Sequence, residues 1–313
     1  MKTNANGWRM VLVAGLVAAV GSGVALAQAT PGGGMAAPEA STFTLFGTPA
    51  LKLSGEKAFV APVTSPYWNE NSLITTDVRG WYAFHKFNSD TPLGSDSNAS
   101  VYALQLRLAL THNLQFVAYK DGYVDFDGSV ISSEGTNDIG AGLKWQWLRL
   151  EAEQLYAAVG AGYELRFGES RALQNDAEAR VWASVDKGFG PLHLGATING
   201  RYSTSGKNSD NGNSHMLSWH LRADYRVSEI FSPVVEFNGY HIISEGDAGL
   251  PLNGADVANF GGKDADATIT GAVGAELRAG ANTAIRAAYE LPVTDNEDSL
   301  FGTRLTFSII YSF

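Results

Sequence analysis

The segment RLTFSIIYSF, residues 304–313, sets Leu305, Phe307, Ile309, Tyr311 and Phe313 at every second position. Successive side chains of a strand point to opposite sides, so a period of two marks an extended strand with one apolar face. The same spacing recurs upstream. In residues 101–111, Tyr102, Leu104, Leu106, Leu108 and Leu110 oppose Gln105, Arg107, Ala109 and Thr111. In 139–147, Ile139, Ala141, Leu143, Trp145 and Trp147 oppose Gly140, Gly142, Lys144 and Gln146. In 155–167, Leu155, Val159, Tyr163, Leu165 and Phe167 oppose Tyr156, Gly160, Gly162, Glu164 and Arg166. In 214–227, Leu217, Trp219, Leu221, Tyr225 and Val227 oppose Ser218, His220, Arg222, Asp224 and Arg226. The apolar faces carry almost no charge.

The pattern predicts about twelve strands, at 73–87, 99–112, 114–124, 138–148, 152–167, 177–187, 191–203, 214–227, 233–244, 267–278, 282–293 and 301–313. Tight connections near Asn113, Arg149, 188–191, 228–232 and 280–282 alternate with longer polar ones at 88–98, 125–137, 168–176, 204–213, 245–266 and 294–300. Strands of 11 to 16 residues exceed the ~5–6 usual in soluble sheets and suffice to cross a bilayer at a tilt. An even strand count with short turns at one end and long loops at the other points to an all-β, transmembrane antiparallel up-and-down barrel over 73–313.

Composition agrees. Among 313 residues, hydrophobic content is 45%, mean hydropathy −0.07 and charged residues only 17%, with 35 glycines and no cysteine. Averaging a lipid-facing row against a polar lumen row gives a hydropathy near zero without any long apolar run. Absence of cysteine excludes disulfides and thiolate chemistry, and the net charge of −10 argues against nucleic acid as a partner.

Ahead of the strands, Lys2 and Arg9 precede an apolar stretch at 10–20, and Ala25-Leu26-Ala27 supplies a small-residue cleavage site. Residues 1–27 therefore read as a secretory signal peptide, whose removal takes the charge from −10 to −12. Residues 28–41 read as a flexible linker and 43–72 as a proline-interrupted extension, either periplasmic or folded into the pore as a plug.

The ending at 304–313 resembles the terminal strand of Gram-negative outer-membrane proteins, in which alternating apolar residues and a final aromatic are read by the barrel-assembly machinery. Phe307, Ile309, Tyr311 and Phe313 carry that signal here. The segments GAGYELRFGESRALQ (160–174) and SWHLRADYRVSEIFSPVVEFNGYHII (218–243) resemble the outer-membrane family named after the meta-pathway of phenol degradation. That resemblance implies a small-molecule transport barrel in the Gram-negative outer membrane; outer-membrane lipid, lipopolysaccharide and a small solute, aromatic or hydrophobic, are the partners expected of such a barrel.

If the apolar face meets lipid, the other face lines a lumen. Centring hairpins on their turns pairs Glu164 with Arg180, Arg166 with Glu178, Arg226 with Glu236, Glu276 with Arg286 and Glu290 with Arg304. It sets Gly140 and Gly142 across from Gly160 and Ala158, and Trp182 across from Gly162. Such cross-strand pairs fix register, at roughly 0.2–1 kcal/mol each. Trp182 beside residues lacking side chains is most simply packing; in the functional reading Trp182, Tyr156 and Tyr240 form an aromatic surface for a cyclic or planar solute, and with Arg180, Glu164, Arg166, Glu178 and Arg222 they are the ligand-contact candidates. Eleven inward cations against eight inward acids leave the lumen slightly positive, with the excess negative charge in the loops.

No catalytic constellation stands out. His215 and His220 fall on opposite faces of one strand, and the Gly-x-Gly pairs lie inside strands, away from any phosphate-binding turn. The expectation is a channel or transporter without enzymatic activity, cofactor or metal. A non-conducting structural or adhesive barrel is the first alternative and a lipid-modifying enzyme the second.

Overall fold

The computed structural model describes residues 53–91, 93, 96–169, 177–204, 214–246, 254–257, 267–294 and 299–313. Every described residue lies in one compact unit. The expected signal peptide and flexible linker fall outside the described residues.

Among the described residues, fourteen strand segments follow in order: β1 (Asp77–Phe87), β2 (Asn98–Ala109), β3 (Leu114–Lys120), β4 (Tyr123–Asp127), β5 (Ser133–Thr136), β6 (Ile139–Leu150), β7 (Leu155–Leu165), β8 (Glu178–Phe189), β9 (Leu192–Ser203), β10 (His215–Tyr225), β11 (Phe231–Ser244), β12 (Thr268–Arg278), β13 (Thr283–Pro292) and β14 (Phe301–Ser312). All pair antiparallel with their neighbours, and β1 pairs with both β2 and β14, which closes the sheet. Both β3 and β4 lie along β2. They form one stave broken at Asp121–Gly122, and β5 with β6 forms the next. The wall therefore has the expected twelve staves.

The break at Gly122 has a steric cause. Its φ is +107°, and a Cβ there would stand 2.0 Å from the Tyr102 carbonyl oxygen. Above the break, β4 and β5 form a hairpin where the sequence suggested only a loop. The barrel begins at Asp77, four residues later than the expected 73.

Outward positions are apolar. Leu104, Leu143, Val159, Val181, Val235, Val273, Ile285 and Ile309 are exposed side chains on the outer face. Trp147, Phe189, Tyr225, Phe231 and Tyr311 ring the short-turn end, and Tyr102, Tyr123, Tyr163 and Tyr202 lie toward the long-loop end. An exposed apolar band between aromatic girdles is stable only in lipid, and closure leaves the β1 and β14 edges paired with each other within the ladder.

Candidate functional site: the occupied lumen

Residues 53–76 run inside the barrel. The segment enters at the short-turn end through a single 3-10 turn, Gly55–Lys57, climbs to Tyr67 and Trp68, and returns to β1. Pro62 and Pro66 lack N–H donors and keep it out of the ladder. Ser65, at φ 49°, turns the tip, where its carbonyl accepts from the Trp68 and Asn69 N–H groups at 3.0 and 2.8 Å. A buried backbone outside any ladder must still find hydrogen-bond partners, and here the wall side chains supply them.

On the way up, Phe59 stacks on His193 at 4.2 Å and meets Tyr156 edge-on at 5.8 Å. Arg286 donates to the Ala61 and Pro62 carbonyls at 2.7 and 2.8 Å. The Val63 and Thr64 N–H groups donate to Glu236 at 2.9 and 2.7 Å. At the tip, Arg180 donates to the Tyr67 and Trp68 carbonyls at 2.7 and 2.8 Å. On the way down, Glu70 receives Arg107 at 2.7 Å and Lys144 at 3.0 Å. Lys144 also donates to the Asn71 and Leu73 carbonyls, at 2.9 and 2.7 Å. Asp186 accepts from the Ser72 N–H and hydroxyl, at 2.7 and 2.6 Å.

Glu70 is the electrostatic centre of this docking. Burial alone would raise its pKa, but Arg107, Lys144 and Arg79 outweigh that, holding the carboxyl well below the usual carboxylate range. Arg107, Lys144, Arg180 and Arg286 form no salt bridge with a wall acid among the described residues; the luminal segment answers all four. Other cations pair within the wall: Arg222 with Asp186 at 2.6 Å, Arg304 with Glu290 at 2.8 Å, Lys120 with Glu164 and Arg201 with Glu178.

The inner wall is not uniformly polar. Trp81, Ala83 and Phe87 of β1, Ala99 and Val101 of β2, Val124 and Phe126 of β4, and Met216 of β10 form an apolar cluster toward the long-loop end. Tyr67 and Trp68 fill it from below, with the Tyr67 ring edge-on to Trp81 at 4.9 Å. Leu93, Val257 and Leu300 join the cluster from the loops, and Asp256 beside Val257 is ion-paired with Arg304. At the opposite mouth, a cavity of about 630 Å³ is lined by Phe59, Leu73, Asp77, Arg79, Arg226 and Glu276, among others.

Of the candidates named from sequence, Trp182, Tyr156, Tyr240, Arg180, Glu164, Glu178 and Arg222 are buried inward. Arg166 is not: β7 ends at Leu165, the Phe167 N–H folds back to the Leu165 carbonyl at 2.8 Å, and Arg166 is exposed. The aromatic residues form no common surface. Tyr156 meets Phe59, Tyr240 lies beside Trp68 at 5.7 Å, and Trp182 packs edge-on to Tyr119 at 6.2 Å.

Several pairings are corrected. Glu164 faces Glu178, and Arg180 faces Gly162. Glu178 takes Arg201 from its other neighbour, β9, and Glu164 takes Lys120 from β3, one strand beyond its other neighbour, β6. Trp182 faces Gly160, where an added Cβ would stand 2.1 Å from the ring. Gly142 faces Gly162, while Gly140 faces Glu164 and Lys144 faces Gly160, because the turn lies at 151–154 and a bulge follows Gln146. Arg222 is the residue across from Glu236, and Arg226 approaches Glu276 at 3.8 Å. The expected Glu276–Arg286 and Glu290–Arg304 pairings are present.

Sequence reasoning missed Lys120, Tyr119 and Glu70. A bulge after Ala118 turns both Tyr119 and Lys120 inward against the alternation. The glycine pairs were the available signal for Tyr119, since a Cβ at Gly140 or Gly162 would stand 2.5 or 2.7 Å from its ring. Glu70 carried no signal, because nothing in an irregular stretch says which wall it meets.

No known protein family matches the sequence, and no curated protein does. Solved structures do. An outer-membrane channel from Pseudomonas putida F1 superposes with a TM-score of 0.57 at 14% identity, over 82% of this chain and all of that one. The fold is that of an outer-membrane β-barrel. The NanC porin follows at a TM-score of 0.46 and 10% identity, over 76% of this chain and 98% of its own.

Proposed function

We propose that this protein is an outer-membrane channel for small apolar or aromatic solutes, and that residues 53–76 hold it closed. The observation that carries the reading is the apolar cluster on the inner wall, filled by Tyr67 and Trp68. A pore for ions or sugars has no use for Trp81, Phe87, Val101 and Phe126 facing its lumen, whereas an apolar solute gains roughly 25 cal/mol per Å² by entering such a surface. The short-turn mouth then faces the periplasm, outer-membrane lipid and lipopolysaccharide surround the apolar band, and the strand ending in Phe313 is the mark read by the assembly machinery.

Closure by the segment rests on ion pairs and carbonyl contacts whose wall partners water or solute can solvate, so withdrawal toward the periplasm is the opening step. Planar-bilayer conductance and liposome uptake by the refolded full chain test the reading. Uptake of small aromatic solutes exceeding that of sugars of similar size is the expected result. No current and no uptake of any solute would overturn it in favour of the structural barrel, the reading that the buried contacts of the luminal segment otherwise support.

A further inference from the structure

Four features of the tip meet at one place. The Tyr67 carbonyl and the Trp68 carbonyl accept from Nη1 and Nη2 of Arg180 at 2.7 and 2.8 Å, so one guanidinium fork holds two oxygens. The Tyr67 ring lies edge-on to Trp81 at 4.9 Å. Its hydroxyl donates to the Asp121 carbonyl at 2.8 Å and accepts from the Asn137 amide. Arg180 itself is pre-set: Asn199 Oδ1 accepts from its Nε and Nη2 at 3.1 and 2.7 Å, and the Tyr119 and Trp182 ring centroids each lie 4.6 Å from it. Around it the Tyr119 hydroxyl, the Trp182 indole N–H and the Asn199 amide nitrogen are buried without a hydrogen-bond partner among the described residues.

The ring, two carbons and carbonyl of Tyr67 have the skeleton of a 3-arylpropanoate, and the fork that reads two carbonyl oxygens also suits the two oxygens of one carboxylate. We propose that the place filled by Tyr67 is a binding site for 3-(4-hydroxyphenyl)propanoate-type acids, with Tyr67 as its tethered stand-in. Arg180 takes the carboxylate, Trp81 the ring, and the Asp121 carbonyl with Asn137 the phenol hydroxyl. An incoming acid competes with the tip and so favours withdrawal of the segment, which an uncharged analogue does less well. The inference deepens the channel reading and rests on it.

The test titrates 3-(4-hydroxyphenyl)propanoate, its amide and 3-phenylpropanoate into the full chain and into Tyr67→Ala by calorimetry in detergent. In Tyr67→Ala the acid should bind about tenfold more tightly than to the unaltered chain, and about tenfold more tightly than the amide, which loses the charge-assisted bonds. The acid lacking the hydroxyl should bind about fivefold more weakly. Equal binding of acid and amide, or no binding of either, overturns the site. Should Tyr67→Ala fail to fold, conductance of the unaltered chain decides: the acid raises it and the amide does not, and equal effects overturn the proposal. Salt current through Tyr67→Ala without preference for the acid defeats the site alone. Absence of current in every solute, with tight acid binding in detergent, defeats the channel reading alone.

Discussion

Two sides of one lumen differ in kind. Toward the long-loop end of β1, β2 and β4 the inner face carries Trp81, Ala83, Phe87, Val101 and Phe126; along β8 to β11, and at Arg79 and Arg107 nearer the short-turn end of β1 and β2, it carries charged and polar groups, among them Arg180, Asp186, Arg201, Arg222, Asp224, Glu236 and Asn238. Their outer faces are alike, since both meet lipid. The luminal segment bridges them. It turns its tip rings to the apolar side while its carbonyls and N–H groups go to Arg180, Arg286 and Glu236. A barrel interior is thus free to be polar or apolar at each position, provided something of matching character fills it.

The largest break in the polar half is Glu70→Gln. Arg107 and Lys144 would then be buried with no acid, a change worth about 3–5 kcal/mol against the docked segment. Conductance of the variant should rise well above that of the unaltered chain; unchanged closure would show that the carbonyl contacts suffice. In the apolar half, Trp81→Ala should lower barrel stability by about 3 kcal/mol by leaving a cavity beside Tyr67. Added indole should restore part of the melting temperature, and no restoration would mean the wall collapses into the space. Smaller still, Gly160→Ala drives a methyl into the Trp182 ring and should cost about 1–3 kcal/mol, read from the unfolding midpoint in urea.

The gentlest probe is pH. Glu70 has a folded pKa below its ordinary value of 4.5, so its contribution to docking is complete above that value and lost as pH falls through the folded pKa. Conductance should therefore stay flat from pH 8 to 5, as far as Glu70 is concerned, and rise only under strong acid. Glu70→Gln should abolish that acid-induced rise.

Much of the wall was legible because lipid and lumen impose opposite demands on alternate residues. The terminal strand at 304–313 and the glycine pairs at 140, 142, 160 and 162 show how far that goes: alternation located the strands, and the glycines pointed to large rings nearby. Register was less legible. Glu164 and Arg180 were expected to face each other and do not, because moving the centre of a connection by one residue shifts the pairing by two without changing which side faces in. Arg166 was lost to the lumen because the strand ends at Leu165, two residues before the expected 167.

By itself, then, the sequence determined an all-β transmembrane barrel of twelve staves, its inward and outward faces, and a charged lumen. Periodicity is a local property, and the solvent on each side enforces it residue by residue. Only the tertiary structure decided that residues 53–76 occupy the lumen, that Glu70 answers Arg107 and Lys144, and that Tyr67 sits between Arg180 and Trp81. Those contacts join positions 14 to 225 residues apart through side chains on an irregular segment, where no repeat along the chain records the partner.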